Sequence, residues 1–273
     1  TAGLWTPCER ANPWFMNRAW RDHLLPWCLP CLLLLGWFAA TEHGAAPDWL
    51  LPPPRQVART LAVYVLGVGD DPQAGRFWPD AAASLGRVAA GYALAAVPGA
   101  VLGLWSGRSP TVARLLAPVI NGVKAVPGIS WLPLALIWLG VGFKTTVTLI
   151  ALAGFFPVYF SAAAAAASTP PNLLHVGRML GLGRAALFLR VVLPWSMPQL
   201  CAGLRVALGM SFAYLVLGEL TGVPDGLGAL IMDARMNGRV DILLCGILCI
   251  AVLGAVCDAL LLQLLGCLPG LRR

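Results

Sequence analysis

Apolar residues run along this chain in long unbroken stretches separated by short polar punctuation, and the stretches rather than any alternation define the elements. The first, 24–40, follows Arg10, Arg18 and Arg21 and closes at Thr41-Glu42-His43. Others cover 84–104, 119–139, 145–167, 198–220 and 242–267. Each approaches the roughly 20 apolar residues that a helix needs to cross a bilayer. The pattern therefore predicts an all-α, polytopic transmembrane helical bundle of about six spans. A cleaved signal peptide would also show a run like 24–40, but here a long polar leader precedes it and further spans follow, so it reads as the first span. Residues 1–23 are then a cytoplasmic N-terminal segment and 24–273 a single transmembrane domain. The sequence begins at Thr1 rather than Met, and its natural start is expected further upstream.

Between the first two spans, 41–83 holds Pro52-Pro53-Pro54, Asp70-Asp71-Pro72 and Pro79-Asp80, which break helices. A short amphipathic helix at 55–66 is expected inside this polar excursion. The other informative loop, 168–197, is too long for a simple turn and reads as two short helices. Thr169 is placed to cap a helix whose first turn takes Pro170 and Pro171, with Leu173, Leu174, Val176 and Leu180 on its apolar side. Gly181-Leu182-Gly183 turns the chain sharply. A second piece over 184–192 is expected to stop at Leu193-Pro194, with Pro198 starting the next span. Taken alone, such a hairpin could lie in the headgroups, with Arg178, Arg184 and Arg190 meeting anionic lipid.

Composition sharpens the class. Of 273 residues, 59% are hydrophobic and 11% charged, with mean hydropathy +0.77; a soluble domain carries roughly a quarter charged residues. The net charge of +7 does not point to nucleic acid, because Lys and Arg fall between apolar runs instead of on one basic face. With the N-terminus inside, the inner segments hold Arg10, Arg18, Arg21, Arg108, Arg114, Arg178, Arg184, Arg190, Arg272 and Arg273. The outer segments hold Arg55, Arg59, Arg76, Lys144, Arg235 and Arg239. That excess favours both termini in the cytoplasm. Cys28 and Cys31 have redox spacing but no thioredoxin-like strand pattern, and Cys201, Cys245, Cys249 and Cys257 stand in apolar runs as small hydrophobes.

Enzyme chemistry finds no support. The histidines stand apart at 23, 43 and 175, with no His-Glu-x-x-His or Gly-x-Ser-x-Gly spacing and no metal-ligand cluster. No Gly-x-x-x-x-Gly-Lys-Ser/Thr segment is present either, so any ATP must be bound and hydrolysed by another chain. An ion-coupled secondary transporter is the alternative, but it would show repeated halves with interrupted helices, and no repeat is visible.

The loop His175-Val176-Gly177-Arg178-Met179-Leu180-Gly181, followed at a fixed gap by Leu193-Pro194, resembles the cytoplasmic loop of the binding-protein-dependent ABC permeases, in particular the sulfonate, taurine and nitrate importers. The resemblance extends through 50–61, through Ala125 to Pro133, and through Gly218-Glu219-Leu220-Thr221-Gly222 with Gly226-Leu227-Gly228. It implies that His175, Gly177, Arg178, Gly181, Arg184, Leu193 and Pro194 belong to a coupling element that docks on an ATPase subunit. His175 stands where the family usually carries Glu, and is either a hydrogen-bonding replacement or a solvated surface residue. The resemblance also implies ATPase subunits carrying ATP and Mg, an extracytoplasmic solute-binding protein, a second copy of the permease, and location in the inner membrane. The solute it implies is a small one, here read as an anion.

Polar and helix-breaking residues at membrane depth face protein or a water-filled path. Pro127, Ser130 and Trp131 in the third span, and Ser211, Tyr214 and Glu219 in the fifth, are the candidate translocation path. Each of the prolines and serines has a competing reading as a packing kink. Glu219 is assigned a gating or structural role, with Arg235 or loop amides as its partners. Lys124 and Arg205 read as anchors near span ends, and Asp258 is left to pair with either.

Overall fold

The computed structural model describes residues 13–42, 44, 47, 50–69 and 71–266, with side chains in the first helix from Cys28 onward. Arg10, His43, Asp70, Arg272 and Arg273, and the side chains of Arg18, Arg21 and His23, lie outside the described residues. Every regular element among the described residues is helical. The chain divides into two compact units, 1–58 and 59–273.

In the first unit, α1 (Pro13–Glu42) contains the expected first span, and Cys28 and Cys31 lie one turn apart among exposed leucines. Trp37 donates its indole N–H to the Pro52 carbonyl (3.2 Å), and Arg55 pairs with Glu42. Helix α2 (Pro54–Leu66), the expected amphipathic helix, carries the boundary between the units.

The second unit is a bundle built on α3 (Phe77–Arg108), α6 (Phe143–Ala167), α9 (Leu193–Glu219) and α11 (Val240–Gly266). Helix α6 is the centre, packed between α3 and α9. Helices α3 and α6 run parallel, and a ladder of small residues on α3 lets their backbones meet. A Cβ on Gly91 would reach Ile150 Cβ at 2.6 Å, one on Gly99 the Phe155 carbonyl at 3.1 Å, and one on Gly107 the Ala163 carbonyl at 2.3 Å. With Ala95 and Gly103 between them, small residues recur every four positions along the side of α3 that meets α6, and such small-residue seams allow the close approach that drives helix association in lipid. Helix α9 returns antiparallel: Gly203 meets Ser161, and Gly218 meets Thr146.

Among the described residues, four helical stretches are long and apolar enough to cross a membrane: Phe77–Arg108, Phe143–Ala167, Arg184–Glu219 and Val240–Gly266. A fifth crossing exists if α4 (Pro110–Ala125) and the segment Gly128–Leu139, a 3-10 turn followed by α5 (Leu132–Leu139), are one broken span bent by 87°. This corrects the straight span expected over 119–139. Val126 is extended (φ −83°, ψ 121°), as a residue before proline prefers, and Pro127 has no N–H to continue the ladder.

A second correction concerns Leu193-Pro194. The helix does not stop there: α8 (Arg184–Leu187), a π turn (Phe188–Val192) and α9 form one continuous 36-residue stretch. The wider π turn absorbs the register change that the missing N–H groups of Pro194 and Pro198 would otherwise impose. A third concerns Thr169, which does not cap the following helix. Its hydroxyl donates to the Ala166 carbonyl (3.0 Å) and closes α6, while Pro170 holds the N-cap position of α7 (Pro171–Met179).

Opposite the α7 end, Arg239 ties the loop before α3 to the start of α11. It donates to Asp71 (2.6 Å) and to Asp241 (3.1 Å), and Thr60 also donates to Asp241 (2.9 Å). The backbone N–H of Gln73 and then Arg239 hold the Asp71 carboxyl below the usual carboxylate range. A depressed carboxylate stabilises the fold above its unfolded value of about 4, and that contribution is lost as pH falls through the folded value below it. Asp71→Asn is thus expected to cost less than about 1 kcal/mol near neutral pH, the ordinary worth of a surface pair. The gap in melting temperature between wild type and variant should close as pH is lowered past the carboxylate range; a gap that widens there would contradict this assignment.

Candidate functional site

Three constellations carry polar or strained features that packing alone does not require. The first is the α7 hairpin. Leu174 and Gly177 face inward, and a Cβ on Gly177 would sit 2.4 Å from Leu187 Cδ1, so the glycine brings α7 close against α8. The helix then ends in a Schellman motif: Leu182 N–H bonds the Gly177 carbonyl (3.1 Å), Gly181 N–H bonds the Arg178 carbonyl (3.0 Å), and Gly181 takes φ +74°. His175, Arg178, Gly181 and Arg184 are exposed, Leu193 is half-buried against the core, and Pro194 is exposed. All seven residues expected in the loop therefore sit on one hairpin and its junction with α9. Beside these polar groups the hairpin also leaves apolar residues outside: Val176, Met179 (86% exposed) and Leu180 (75%).

The second constellation lies at the far end of α9. Glu219 is fully buried and pairs with Arg87 of α3, itself 5% exposed, at 2.6 Å. Ser84 donates to Glu219 (2.8 Å), and Tyr64 donates to Asp80 (2.9 Å). These side chains receive the opening amides of α10 (Leu227–Met236) in succession: Gly226 N–H on Asp80 (3.2 Å), Leu227 N–H on Ser84 (3.0 Å) and Gly228 N–H on Glu219 (2.7 Å). Arg87 also donates to the Asp225 carbonyl (2.9 Å) and pairs with the Asp225 carboxylate. Three amides that a helix start leaves without partners are thus all accepted by side chains of the bundle. Gly226 (φ +110°) has no room for a side chain, since a Cβ there would lie 2.5 Å from Glu219 Oε1.

Glu219 does bond a loop amide, as expected, but its ionic partner is Arg87 and not Arg235. Asp80, Ser84, Arg87 and Asp225 were missed in the sequence. Their signal was present: Asp80, Ser84 and Arg87 recur at four and three residues, a polar stripe on one face of an apolar run. Asp258 is resolved as the partner of Arg205, held through two hydrogen bonds of 3.0 and 2.7 Å.

The third constellation is a cavity of about 340 Å³ at the break between α4 and α5, walled by the middle of α6 and by α9. Pro127, Trp131 and Tyr214 line it, together with Lys124. Gly128 allows the break to press on α9: a Cβ there would lie 2.1 Å from Tyr214 Oη. Lys124, expected as an anchor near a span end, stands in the last turn of α4 and lies over the Phe160 ring, 4.4 Å from its centre. Of the other path candidates, Ser130 is exposed, Ser211 is buried and donates back to the Ala207 carbonyl (2.8 Å), and Glu219 belongs to the α10 anchor; none of the three lines this cavity. Ser211 therefore follows its packing reading, an i−4 bond within its own helix.

These features meet the comparison with known proteins. The family described as the binding-protein-dependent transport system inner membrane component matches residues 99–264. The chain is 35% identical to the taurine transport system permease protein of Escherichia coli over 82% of this chain and 81% of that protein. It is 29% identical to a putative aliphatic sulfonates transport permease protein of Bacillus subtilis, over 92% and 87% of the two chains. It is also 32% identical to a nitrate import permease protein of Leptolyngbya laminosa, over 72% and 70%. The chain is a multi-pass permease component of an ABC-type importer, a transport subunit and not an enzyme. It belongs to the binding-protein-dependent transport system inner membrane component family.

Proposed function

We propose that this chain forms the solute path of an importer for a small anion, and that its α7 hairpin receives the motion of a separate ATPase. The observation that carries the coupling reading is the exposed apolar face Val176, Met179 and Leu180 on a hairpin packed through Gly177 against Leu187. Such a face on a fixed mount is suited to a protein groove. His175, Arg178 and Arg184 ring it with polar groups, while Leu193 and Pro194 join the hairpin to the rod of α9. ATP and Mg are bound by the ATPase, and nucleotide-driven approach of two ATPases moves two hairpins, one from each of two copies of this permease.

The α7 end faces the cytoplasm in this reading, with Arg108, Arg114, Arg178, Arg184 and Arg190 near it, and both termini lie on that side. The Arg87–Glu219 anchor and α10 then face outward, where a solute-binding protein delivers its cargo. The anionic cargo follows from the solutes in the names of the relatives, taurine, aliphatic sulfonates and nitrate, which share an anionic group. ATP and the loaded binding protein must favour the same state, since a ligand shifts a population only through differential affinity.

Gly181→Asp tests the hairpin. Gly181 has open space around its Cβ position and φ +74°, a conformation Asp tolerates better than most residues, so the protein should still reach the membrane. The new charge beside Met179 and Leu180 is expected to abolish co-purification of the ATPase, scored by mass spectrometry, and to abolish uptake. Wild-type recovery of both would remove the hairpin from the coupling role.

A further inference from the structure

The cavity at the broken helix gathers a cation without a counter-charge and an N–H without an acceptor. Lys124 stands in the last turn of α4, beside the break in the bent pair, and makes no salt bridge among the described residues; its ammonium has only the face of Phe160. An ionisable group at such a place, without a counter-charge, is a functional site by default. Trp131 Nε1 is buried with no acceptor, and such orphaned donors are rare in folded proteins. Both residues line the same space, and Tyr214 adds a hydroxyl. No carboxylate and no side-chain amide lines the cavity.

Depth and shape point the same way. Phe156, which walls the cavity, lies next to the centre of the 25-residue α6, so the cavity sits near the middle of the crossing. The chain bends by 87° beside it, and irregular backbone at this depth is tolerated where it lines a cavity. The remaining wall is largely apolar and aromatic, with Phe156 and Phe160 opposite the broken segment.

We infer that this cavity is a solute subsite within the permease itself, taking an anion with a short apolar body, such as an alkyl sulfonate. Lys124 supplies the counter-charge, Trp131 N–H and Tyr214 O–H donate to the anionic oxygens, and the aromatic wall covers the alkyl part. The indole N–H is covered in this state, and presenting it to a bound anion takes a rotation of the ring. An inorganic anion would use the donors and leave the aromatic wall idle, so it binds more weakly. The inference rests on the permease reading above and assigns a selective role to a part of the importer other than its solute-binding protein.

The test uses the full chain purified with whatever ATPase accompanies it, in lipid nanodiscs, with 1-butanesulfonate, nitrate and 1-butanol as probes and calorimetric titration as readout. Butanesulfonate should bind more tightly than nitrate, and butanol should not bind at this site. Lys124→Met should weaken butanesulfonate by about tenfold or more, as loss of one partner of a close charge pair does. Lys124→Arg should retain most of the affinity, and Trp131→Phe, which keeps the ring and removes the N–H, should cost several-fold. Melting profiles without ligand identify any variant whose fold has failed; for such a variant the comparison passes to Trp131→Phe. Butanesulfonate binding that is absent in the wild type, unchanged in the well-folded variants, or matched by butanol would overturn the subsite. Absence of a co-purifying ATPase would instead strike the importer reading, while dependence of binding on Lys124 in the same preparation would leave the subsite standing.

Discussion

Replacing Arg87 by methionine is expected to cost about 3–5 kcal/mol, the usual penalty for leaving one member of a buried ion pair without its partner. For a chain of this size that is a fall in melting temperature on the order of 10 °C. Glu219 is fully buried, and after the change it would keep only Ser84 and the Gly228 amide as donors. The reverse change should be milder. Glu219→Gln keeps an oxygen for the Gly228 N–H, and Arg87 keeps both the carbonyl and the carboxylate of Asp225. The asymmetry distinguishes an anchor for α10 from a generic charge pair, for which the two changes would cost the same. Thermal unfolding in detergent of the two single variants and the double variant measures it. Arg87→Met melting within 2 °C or so of wild type, less than 1 kcal/mol for a chain of this length, would show that the cluster does not hold α10.

Gly103→Leu should disrupt the bundle at least as severely. A Cβ at Gly103 would already lie 2.5 Å from the Tyr159 carbonyl and 2.7 Å from Ala162 Cβ. The first obstacle is backbone, which no rotamer change can move aside. Overpacking costs about 1–3 kcal/mol where side chains can adjust, and here α3 and α6 must part along their length, so the cost should exceed that range. Gly86, on the same helix, has nothing within 4 Å of its Cβ position. Gly86→Ala should therefore leave stability unchanged or slightly raised, as alanine for glycine inside a helix does. Size-exclusion profiles and melting curves compare the pair directly; equal behaviour of Gly103→Leu and Gly86→Ala would contradict a backbone-to-backbone seam.

Much of this architecture is legible in the residues, and the rest is hidden for identifiable reasons. Span lengths follow from apolar runs, because a bilayer demands length and excludes charge. The hairpin follows from Gly177 and Gly181, whose roles are local. The broken span is hidden because proline does not by itself decide: Pro98, Pro118, Pro157 and Pro198 all lie inside helices. What sets Pro127 apart is the contact of Gly128 with Tyr214, a neighbour far away along the chain. The continuity of α8 with α9 is hidden likewise, since a π turn has no signature in Leu193-Pro194. Arg87 and Glu219 stand 132 residues apart, and no periodicity joins them.

The unbroken stretch Arg184–Glu219 gives the two ends of the molecule a common axis. At 1.5 Å per residue its 36 residues span about 54 Å, from the tip of the hairpin to the carboxylate that seats α10. In the coupling proposed above, a push delivered to the hairpin would arrive at the α10 end as the displacement of a single shaft, with no relay of side chains between. The π turn, with Pro194 and Pro198 following it in α9, is where that stretch departs from α-helical bonding, so stiffening or loosening it should change how much of the proposed stroke reaches the far side.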